Sequence, residues 1–246
     1  MTKSLATQLG AHAEQLLHPD QTGFVPNRSI FDPIRLAETM CSYGDYIEEN
    51  SAIVALDQEK AYDKIDHPYL TDTLRAFQLP SLFIDTVRTL YEHAHTRVAI
   101  NGVMSDPYLV TRGVCQGDPL SCLLFNLAIE PLAASLRNSP DLEGFPIPGA
   151  ASNIIVNLYA DDTTVYLSDS DRYDTLELIL TSWCSASGAK FNIKKTEIIP
   201  IGTSQHRERV LTTRKLHPDD HPYQRTSGSP PMATQPAALV LGSATR

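Results

Sequence analysis

One stretch of the chain, IIVNLYADDTTVYL at residues 154–167, decides the fold. It spans most of two runs rich in β-branched and aromatic residues, 153–160 and 163–167. Only Asp161 and Asp162 separate these runs. A two-residue connection between such runs is typical of a β-hairpin. The stretch therefore predicts two antiparallel strands joined by a turn that carries two carboxylates.

The sequence on either side of this hairpin mixes predicted strands and helices. A short apolar run at residues 52–56 predicts a strand that is buried on both faces. Further strands are predicted at residues 96–100, 108–111 and 190–200, with a turn at Asn101-Gly102. Helical apolar spacing predicts helices at residues 5–17, 30–48, 67–79, 81–94, 121–136 and 171–187. This order indicates the α+β class, with an antiparallel sheet backed by helices.

A third carboxylate occupies a position comparable to that of the acidic turn. Asp57 directly follows the predicted strand 52–56, so it and Asp161 share metal ions if their strands are neighbours. Carboxylates ~4 Å apart repel by about 4 kcal/mol at an effective dielectric near 20, and Mg²⁺ relieves that repulsion. Two such ions can stabilise both oxygens of a phosphoryl transfer. The pattern alone leaves open a solvated polar turn at Asp161, and capping or surface roles for Asp63 and Asp66.

Composition bounds the class of protein. The 246 residues contain 20 Lys+Arg and 29 Asp+Glu, and the net charge of −9 by itself argues against a nucleic-acid binder. The longest apolar stretch includes Glu130 and Pro131, so no membrane helix is predicted, and the N-terminus shows no leader pattern. The four cysteines lack metal-site spacing, which predicts reduced, buried thiols in an intracellular protein of the nucleus or cytoplasm.

Charge and proline content divide the chain into segments. Residues 203–246 hold six basic and three acidic residues together with five prolines, a net charge of +3. Residues 1–202 therefore carry a net charge of −12. We expect this tail to be disordered, because it has little apolar surface to bury. The expected organisation is an N-terminal helix within residues 1–19, a folded domain at 20–202 and the tail.

Four blocks in a fixed order resemble the reverse transcriptase domain of LINE-type (non-LTR) retrotransposons. They are QTGFVPNRS at 21–29, DQEKAYDKIDH at 57–67, RGVCQGDPLS at 112–121 and YADD at 159–162. A fifth run, GAKFNIKKTE at 188–197, resembles the next block of that family. The resemblance covers residues 20–202 and implies a right-hand polymerase palm. In that frame, residues 1–19 resemble the remnant of a fingers region.

The resemblance also implies a role for each matching residue. Asp57 and Asp161 match the metal-binding aspartates and Asp162 matches a supporting third position, which implies two Mg²⁺ ions, with Mn²⁺ as an alternative. Four further residues match the nucleotide pocket: Tyr62, Gln116, Gly117 and Lys195. Tyr62 matches a ring that excludes the ribose 2′-OH, whereas Lys195 matches a lysine near the triphosphate, with Lys194 as an alternative. Gln21 and Arg28 match a block near the template, although Arg28 in a solvated ion pair is an open alternative.

The implied activity is RNA-directed DNA synthesis, in which dNTPs are added to a primer 3′-OH on an RNA template. Two departures are Asn27, where the family more often has Gly, and Cys122 in place of a Pro. We see no basic fingers segment and no thumb, so we expect weak or no activity from this chain alone. The acidic charge then reflects partly the metal site and partly these missing basic segments. The alternatives are a non-catalytic nucleic-acid-binding remnant and an RNA-templated RNA polymerase, the latter disfavoured by Tyr62.

Overall fold

The computed structural model describes residues 2–147 and 149–224. Its helices are α1 (Thr2–Gly10), α2 (Ala13–Leu16), α3 (Phe31–Ile47), α4 (Ala61–Lys64), α5 (His67–Ala76), α6 (Ser81–Glu92), α7 (Pro119–Arg137), α8 (Tyr173–Ser187) and α9 (Ser204–Thr213). Its strands are β1 (Ser51–Leu56), β2 (His95–Thr96), β3 (Ala99–Ile100), β4 (Val103–Met104), β5 (Tyr108–Leu109), β6 (Val156–Tyr159), β7 (Asp162–Ser168) and β8 (Glu197–Ile201).

An antiparallel sheet in the order β6-β7-β1-β8 forms the centre of the molecule. The predicted hairpin is confirmed, but its turn is Ala160-Asp161 and not Asp161-Asp162, because Tyr159 pairs with Asp162, the first residue of β7. The strand predicted at 52–56 is also confirmed, and it lies between β7 and β8. Its pairing places Leu56 opposite Thr163, so the end of β1 is next to the start of β7.

One face of the sheet packs against helices that surround α7. Alternate strand residues such as Val54, Val165 and Leu167 join the same buried cluster as the apolar side of these helices. α7 contacts α1, α5 and α8 and is buried on almost every side, so α1 belongs to the main core and not to a separate segment. α7 is long and apolar enough to span a membrane by length and composition alone. Its most apolar window is 72% buried inside the protein, which is how the core helix of a globular domain looks.

The opposite face of the sheet packs against α3 over only part of its length. Ile53 and Tyr166 lie opposite each other on β1 and β7 and form a smaller cluster with Met40 of α3. Further along the same face, the paired residues Ala55 and Thr164 are only half-buried. The sheet therefore becomes more open toward the end of β1, where Asp57 follows.

The predicted start of the disordered tail, at residue 203, is wrong. Residues 204–213 form α9, which Thr203 caps by accepting a hydrogen bond from the His206 backbone N–H, and Val210 of this helix is buried. Asp220 is also buried, and its carboxylate accepts hydrogen bonds from the backbone N–H groups of Tyr173 and His217. The folded part of the chain therefore continues past residue 202 into the segment predicted to be a tail. The rest of the predicted tail, residues 225–246, lies outside the described residues.

Two other expectations need adjustment. The strand predicted at 190–200 is limited to β8, because residues 190–196 form a turn in which the Asn192 N–H donates to the Asp57 carbonyl oxygen at 2.7 Å. The prediction of buried thiols is wrong, since Cys115 is exposed and Cys41, Cys122 and Cys184 are only half-buried; none of the four is in a disulfide. The turn at Asn101-Gly102 is confirmed and joins the short strands β3 and β4.

Candidate active site

The three predicted metal-site carboxylates meet at one end of the sheet. Asp57 follows β1, Asp161 lies in the hairpin turn and Asp162 begins β7, and the pairing of β1 with β7 makes the three residues neighbours. Burial raises the pKa of Asp161, and the negative charge of Asp57 raises it further. Burial and the charges of Asp161 and Asp57 raise the pKa of Asp162 to about 6. Both shifts come mainly from burial and in part from the neighbouring negative charge, which a bound cation would relieve.

The turn itself has a strained backbone. Ala160 and Asp161 are its two central residues, and Ala160 has a φ of 55°. A left-handed φ is favourable for glycine, whereas for other residues it costs about 1–3 kcal/mol and persists only when the surroundings hold it. On the β1 side, the Gln58 side-chain Nε2 donates to the Asp161 carbonyl oxygen at 3.2 Å. The residue next to Asp57 therefore holds the backbone of Asp161 directly.

The donor set fits a hard divalent cation that is only partly enclosed by protein. Within residues 2–147 and 149–224, no three His, Cys, Asp or Glu side chains are grouped closely enough to hold a metal by themselves. Mg²⁺ is commonly held by one or two carboxylates, with waters and substrate phosphates completing its octahedron. Asp57 and Asp161 match that arrangement, whereas a closed cage of three carboxylates does not describe this end of the sheet.

A tyrosine lies beside the acidic turn. Tyr62 stacks on the buried ring of Phe125, with centroids 4.8 Å apart and an interplanar angle of 15°. Burial raises the pKa of the Tyr62 phenol most, and its contact with the Cys122 thiol and the charge of Asp161 raise it further. The ring is therefore a rigid, neutral wall close to Asp161. Cys122, which departs from the family pattern, is part of that wall.

The loop before α7 packs against the segment that carries Tyr62. The Val114 N–H donates to the Tyr62 carbonyl oxygen at 2.6 Å, and the Gln116 Nε2 lies 3.5 Å from the Asp63 Oδ1. Gly117 has a φ of 86° and has nothing within 4 Å of the position of a Cβ, so this part of the loop faces open space. Asp118 caps α7 by accepting from the Leu120 N–H at 2.8 Å, as its position before Pro119 predicts.

The turn between α8 and β8 brings lysines to the same end of the sheet. The Lys195 Nζ lies 3.8 Å from the Asp57 Oδ1, and most of the Lys195 side chain is exposed. Lys190 forms an ion pair with Glu59 at 2.9 Å, and together with Lys64 it lowers the pKa of Glu59. Positive groups therefore border the carboxylates on one side, where a charged ligand can reach them.

The sequence matches a known family over most of its length. The family model described as reverse transcriptase (RNA-dependent DNA polymerase) matches residues 1–219. This chain belongs to the reverse transcriptase family. Polymerases of this family use divalent metal ions and copy an RNA template.

Relatives of the reverse transcriptase domain come from retrotransposable elements. It is 33% identical over 196 residues to the transposon TX1 uncharacterized 149 kDa protein of Xenopus laevis, covering 80% of this chain and 15% of that protein. It is 31% identical over 214 residues to the retrovirus-related Pol polyprotein from the type-2 retrotransposable element R2DM of Drosophila melanogaster, covering 87% and 20% respectively. These relatives confirm the resemblance to non-LTR retrotransposons, and the chain spans a fifth or less of their length.

Solved telomerase structures share the fold. The domain superposes on telomerase from Candida albicans, a structure in complex with a TWJ fragment of telomeric RNA, with a TM-score of 0.59 at 15% identity, covering 80% of this chain and 34% of that chain. The corresponding structure from Candida tropicalis gives a TM-score of 0.56 at 15% identity, covering 80% and 33%. The predicted right-hand palm is confirmed as the fold class.

The two residues predicted to lie near the template make contacts inside the reverse transcriptase domain. Gln21 is completely buried, so its side chain is not accessible to a template. The Arg28 guanidinium donates to the backbone carbonyl oxygens of His18 and Gln21 at 2.6 Å each and to that of Leu17 at 3.0 Å. It thus ties the end of α2 to the following loop, and within residues 2–147 and 149–224 it forms no ion pair. Asn27 adopts a φ of 60°, as its replacement of Gly predicts.

Two residues near the site were missed by sequence reasoning. Gln58 holds the Asp161 carbonyl, and Asn126 of α7 donates through Nδ2 to the Gly23 carbonyl oxygen at 2.6 Å. Gln58 could have been found from its position next to Asp57. Nothing in the sequence marks Asn126 except that it is the one polar residue in the apolar run 123–129.

Proposed function

We propose that this reverse transcriptase domain catalyses RNA-directed DNA synthesis, extending a primer 3′-OH with dNTPs on an RNA template. One observation carries the proposal: the pairing of β1 with β7 brings Asp57 next to Asp161 and Asp162, at the open end of the sheet. The raised pKa values of Asp161 and Asp162 support a site that is completed by cations.

In this proposal Asp57 and Asp161 hold two Mg²⁺ ions, with Asp162 as a third carboxylate that adds negative charge. Bound divalent ions supply Lewis-acid stabilisation to the attacking and leaving oxygens of an in-line phosphoryl transfer. The chain's own contribution is to orient the carboxylates. It does so through the register of β1 with β7 and through the Gln58 hydrogen bond to the Asp161 backbone.

The neighbouring groups have complementary roles in the proposed reaction. The Tyr62 ring, held flat against Phe125, excludes the 2′-OH of a ribonucleotide from the sugar position. The open backbone at Gln116 and Gly117 lines the nucleotide pocket. Lys195, exposed beside Asp57, neutralises the triphosphate and the leaving pyrophosphate. An intracellular location remains a prediction from the sequence.

Primer extension tests the proposal directly. The full chain is incubated with oligo(dT) on poly(rA), dTTP and Mg²⁺ or Mn²⁺. Low ionic strength is used because the net charge of −12 on residues 1–202 weakens binding to nucleic-acid phosphates. We expect weak, metal-dependent extension that Asp161→Asn abolishes. Asp219→Asn is the matched control, since Asp219 begins the other Asp-Asp pair and is exposed. Salt-dependent RNA binding without extension in either metal would support the non-catalytic remnant instead.

Sugar selection gives a second test of the same site. Tyr62→Ala removes the ring beside Asp161, and we expect it to raise incorporation of rNTPs relative to dNTPs. Tyr46→Ala is the control, because Tyr46 is largely exposed on α3. An unchanged ratio in an active Tyr62→Ala variant would remove Tyr62 from the nucleotide pocket.

A further inference from the structure

We infer that Gln21 is a positioning residue for Asp161: its buried side chain fixes the turn that aims the carboxylate. The inference deepens the proposed function and rests on it for the role of Asp161. It replaces the predicted template contact of Gln21 with a role inside the domain.

The contacts of Gln21 converge on one short piece of backbone. Its Oε1 accepts hydrogen bonds from the N–H groups of Gly23 at 3.0 Å and Ala160 at 3.1 Å. Its Nε2 lies 3.5 Å from the Ala160 carbonyl oxygen. One amide therefore contacts both polar groups of the residue directly before Asp161. Because Gln21 is completely buried, water does not replace these contacts when the side chain is removed.

The backbone held by Gln21 is the strained part of the turn. Ala160 has a left-handed φ of 55°, and such a conformation persists only when its surroundings impose it. Gly23 contributes by shape, since a Cβ there would overlap the Ala160 backbone nitrogen. The segment is also tied to the edge of the sheet, because the Thr22 N–H donates to the Leu158 carbonyl oxygen at 2.8 Å.

Anchors on two other elements make the arrangement rigid. Asn126 of α7 donates a hydrogen bond to the Gly23 carbonyl oxygen. Gln58, next to Asp57, holds the Asp161 carbonyl from the β1 side. Gln21 and Gln58 thus hold successive residues of the turn from opposite directions, which fixes Asp161 relative to Asp57.

Manganese binding by the full chain tests the inference. Mn²⁺ is titrated calorimetrically into the wild type, Gln21→Met and the double variant Gln21→Met/Ala160→Gly, with Asp161→Asn identifying the site. We expect Gln21→Met to weaken Mn²⁺ binding about tenfold, as loss of an outer-shell partner does. Ala160→Gly should restore much of that loss, because glycine adopts a positive φ without strain. A side chain that only filled space in the core would not be rescued in this way.

Amide hydrogen exchange supplies a readout that does not depend on the metal. Gln21→Met should accelerate exchange at the Ala160 amide more than at amides in the centre of β1. Asn50→Ala is the control, since the Asn50 Oδ1 accepts from Thr203 at the other end of the sheet, so its loss should leave Mn²⁺ affinity unchanged. If Gln21→Met does not fold, Gln21→Asn keeps the amide but withdraws it by one methylene, and the same readouts apply.

The outcomes separate the inference from the proposed function. A folded Gln21 variant with wild-type Mn²⁺ affinity and wild-type exchange at Ala160 overturns the inference while the site stands. If the wild type binds no Mn²⁺, or Asp161→Asn binds it equally well, the proposed site fails. Exchange at Ala160 then decides alone whether Gln21 holds the turn: faster exchange supports it and unchanged exchange overturns it.

Discussion

Replacing Asp162 with asparagine should stabilise the domain at neutral pH. The pKa of this carboxyl rises from 3.8 to about 6 because of burial and the neighbouring charges of Asp161 and Asp57. A rise of this size corresponds to a ceiling of about 3 kcal/mol, at about 1.4 kcal/mol per pKa unit. Because this burial is incomplete and Asp162 keeps contact with solvent, screening reduces the expected gain to about 1 kcal/mol. In a domain of this size, that is an increase in Tm of about 2–4 °C.

The dependence on pH gives the sign of the effect. A folded-state pKa above the unfolded one means that the protonated carboxyl is favoured in the folded state, so ionisation costs stability. The gain from Asp162→Asn should therefore be complete above pH 6 and shrink as the pH falls from 6 toward 4. For wild type, Mg²⁺ should raise the Tm at pH 8 more than at pH 5, because bound cation requires the ionised carboxylates.

Thermal denaturation at several pH values, with and without Mg²⁺, measures both effects. Asp106→Asn is the matched control, since Asp106 is an exposed carboxylate in the segment between β4 and β5. A gain that is equal at pH 4.5 and pH 8, or a destabilisation by Asp162→Asn at pH 8, would refute the view that charge is concentrated at this turn.

Two further predictions concern groups away from the carboxylates. Burial lowers the pKa of His206 below its usual 6.5, so the free energy of unfolding should fall as the pH drops below about 6.5. In denaturant titrations, His206→Gln should flatten this pH dependence. The control His12→Gln, at an exposed position, should leave it unchanged. Burial, with smaller effects of nearby carboxylates, raises the pKa of Cys41 to about 11. Iodoacetamide at pH 8 should therefore label the exposed Cys115 well before Cys41, which peptide mass analysis measures. Equal labelling rates would contradict the burial of Cys41.

Sequence periodicity predicted the parts of the fold whose local and tertiary preferences agree. The run 52–56 is apolar throughout because β1 has partners on both edges and packing on both faces, and the hairpin follows from its two-residue turn. α8 ends where Gly188 adopts a φ of 74°, as glycine after a helical pattern predicts. The carboxylates could be placed together because strand ends and motif order are both visible in the sequence.

Other features depend on contacts that a single sequence does not display. α9 has weak amphipathic character, and it folds because Val210 is buried and Thr203 caps it. Gln21 carries no sign of burial in its own segment, since its partner Ala160 lies 139 positions away. A polar residue in a block that matches a family is easily interpreted as ligand-binding. The hydrogen bonds that Gln21 makes within the described residues are nevertheless internal to the domain.

The position of β1 in the sheet has a consequence for how the domain is made. Ribosomal synthesis produces β1 before either of its neighbours, yet it pairs with β7 and β8, which follow only after α4–α7. Long-range pairing of this kind slows folding, because the loop must close before any contact offsets its entropy. Asp57 therefore emerges without its partner carboxylates. The proposed cation site is therefore complete only after the hairpin at Asp161 has left the ribosome and paired with β1.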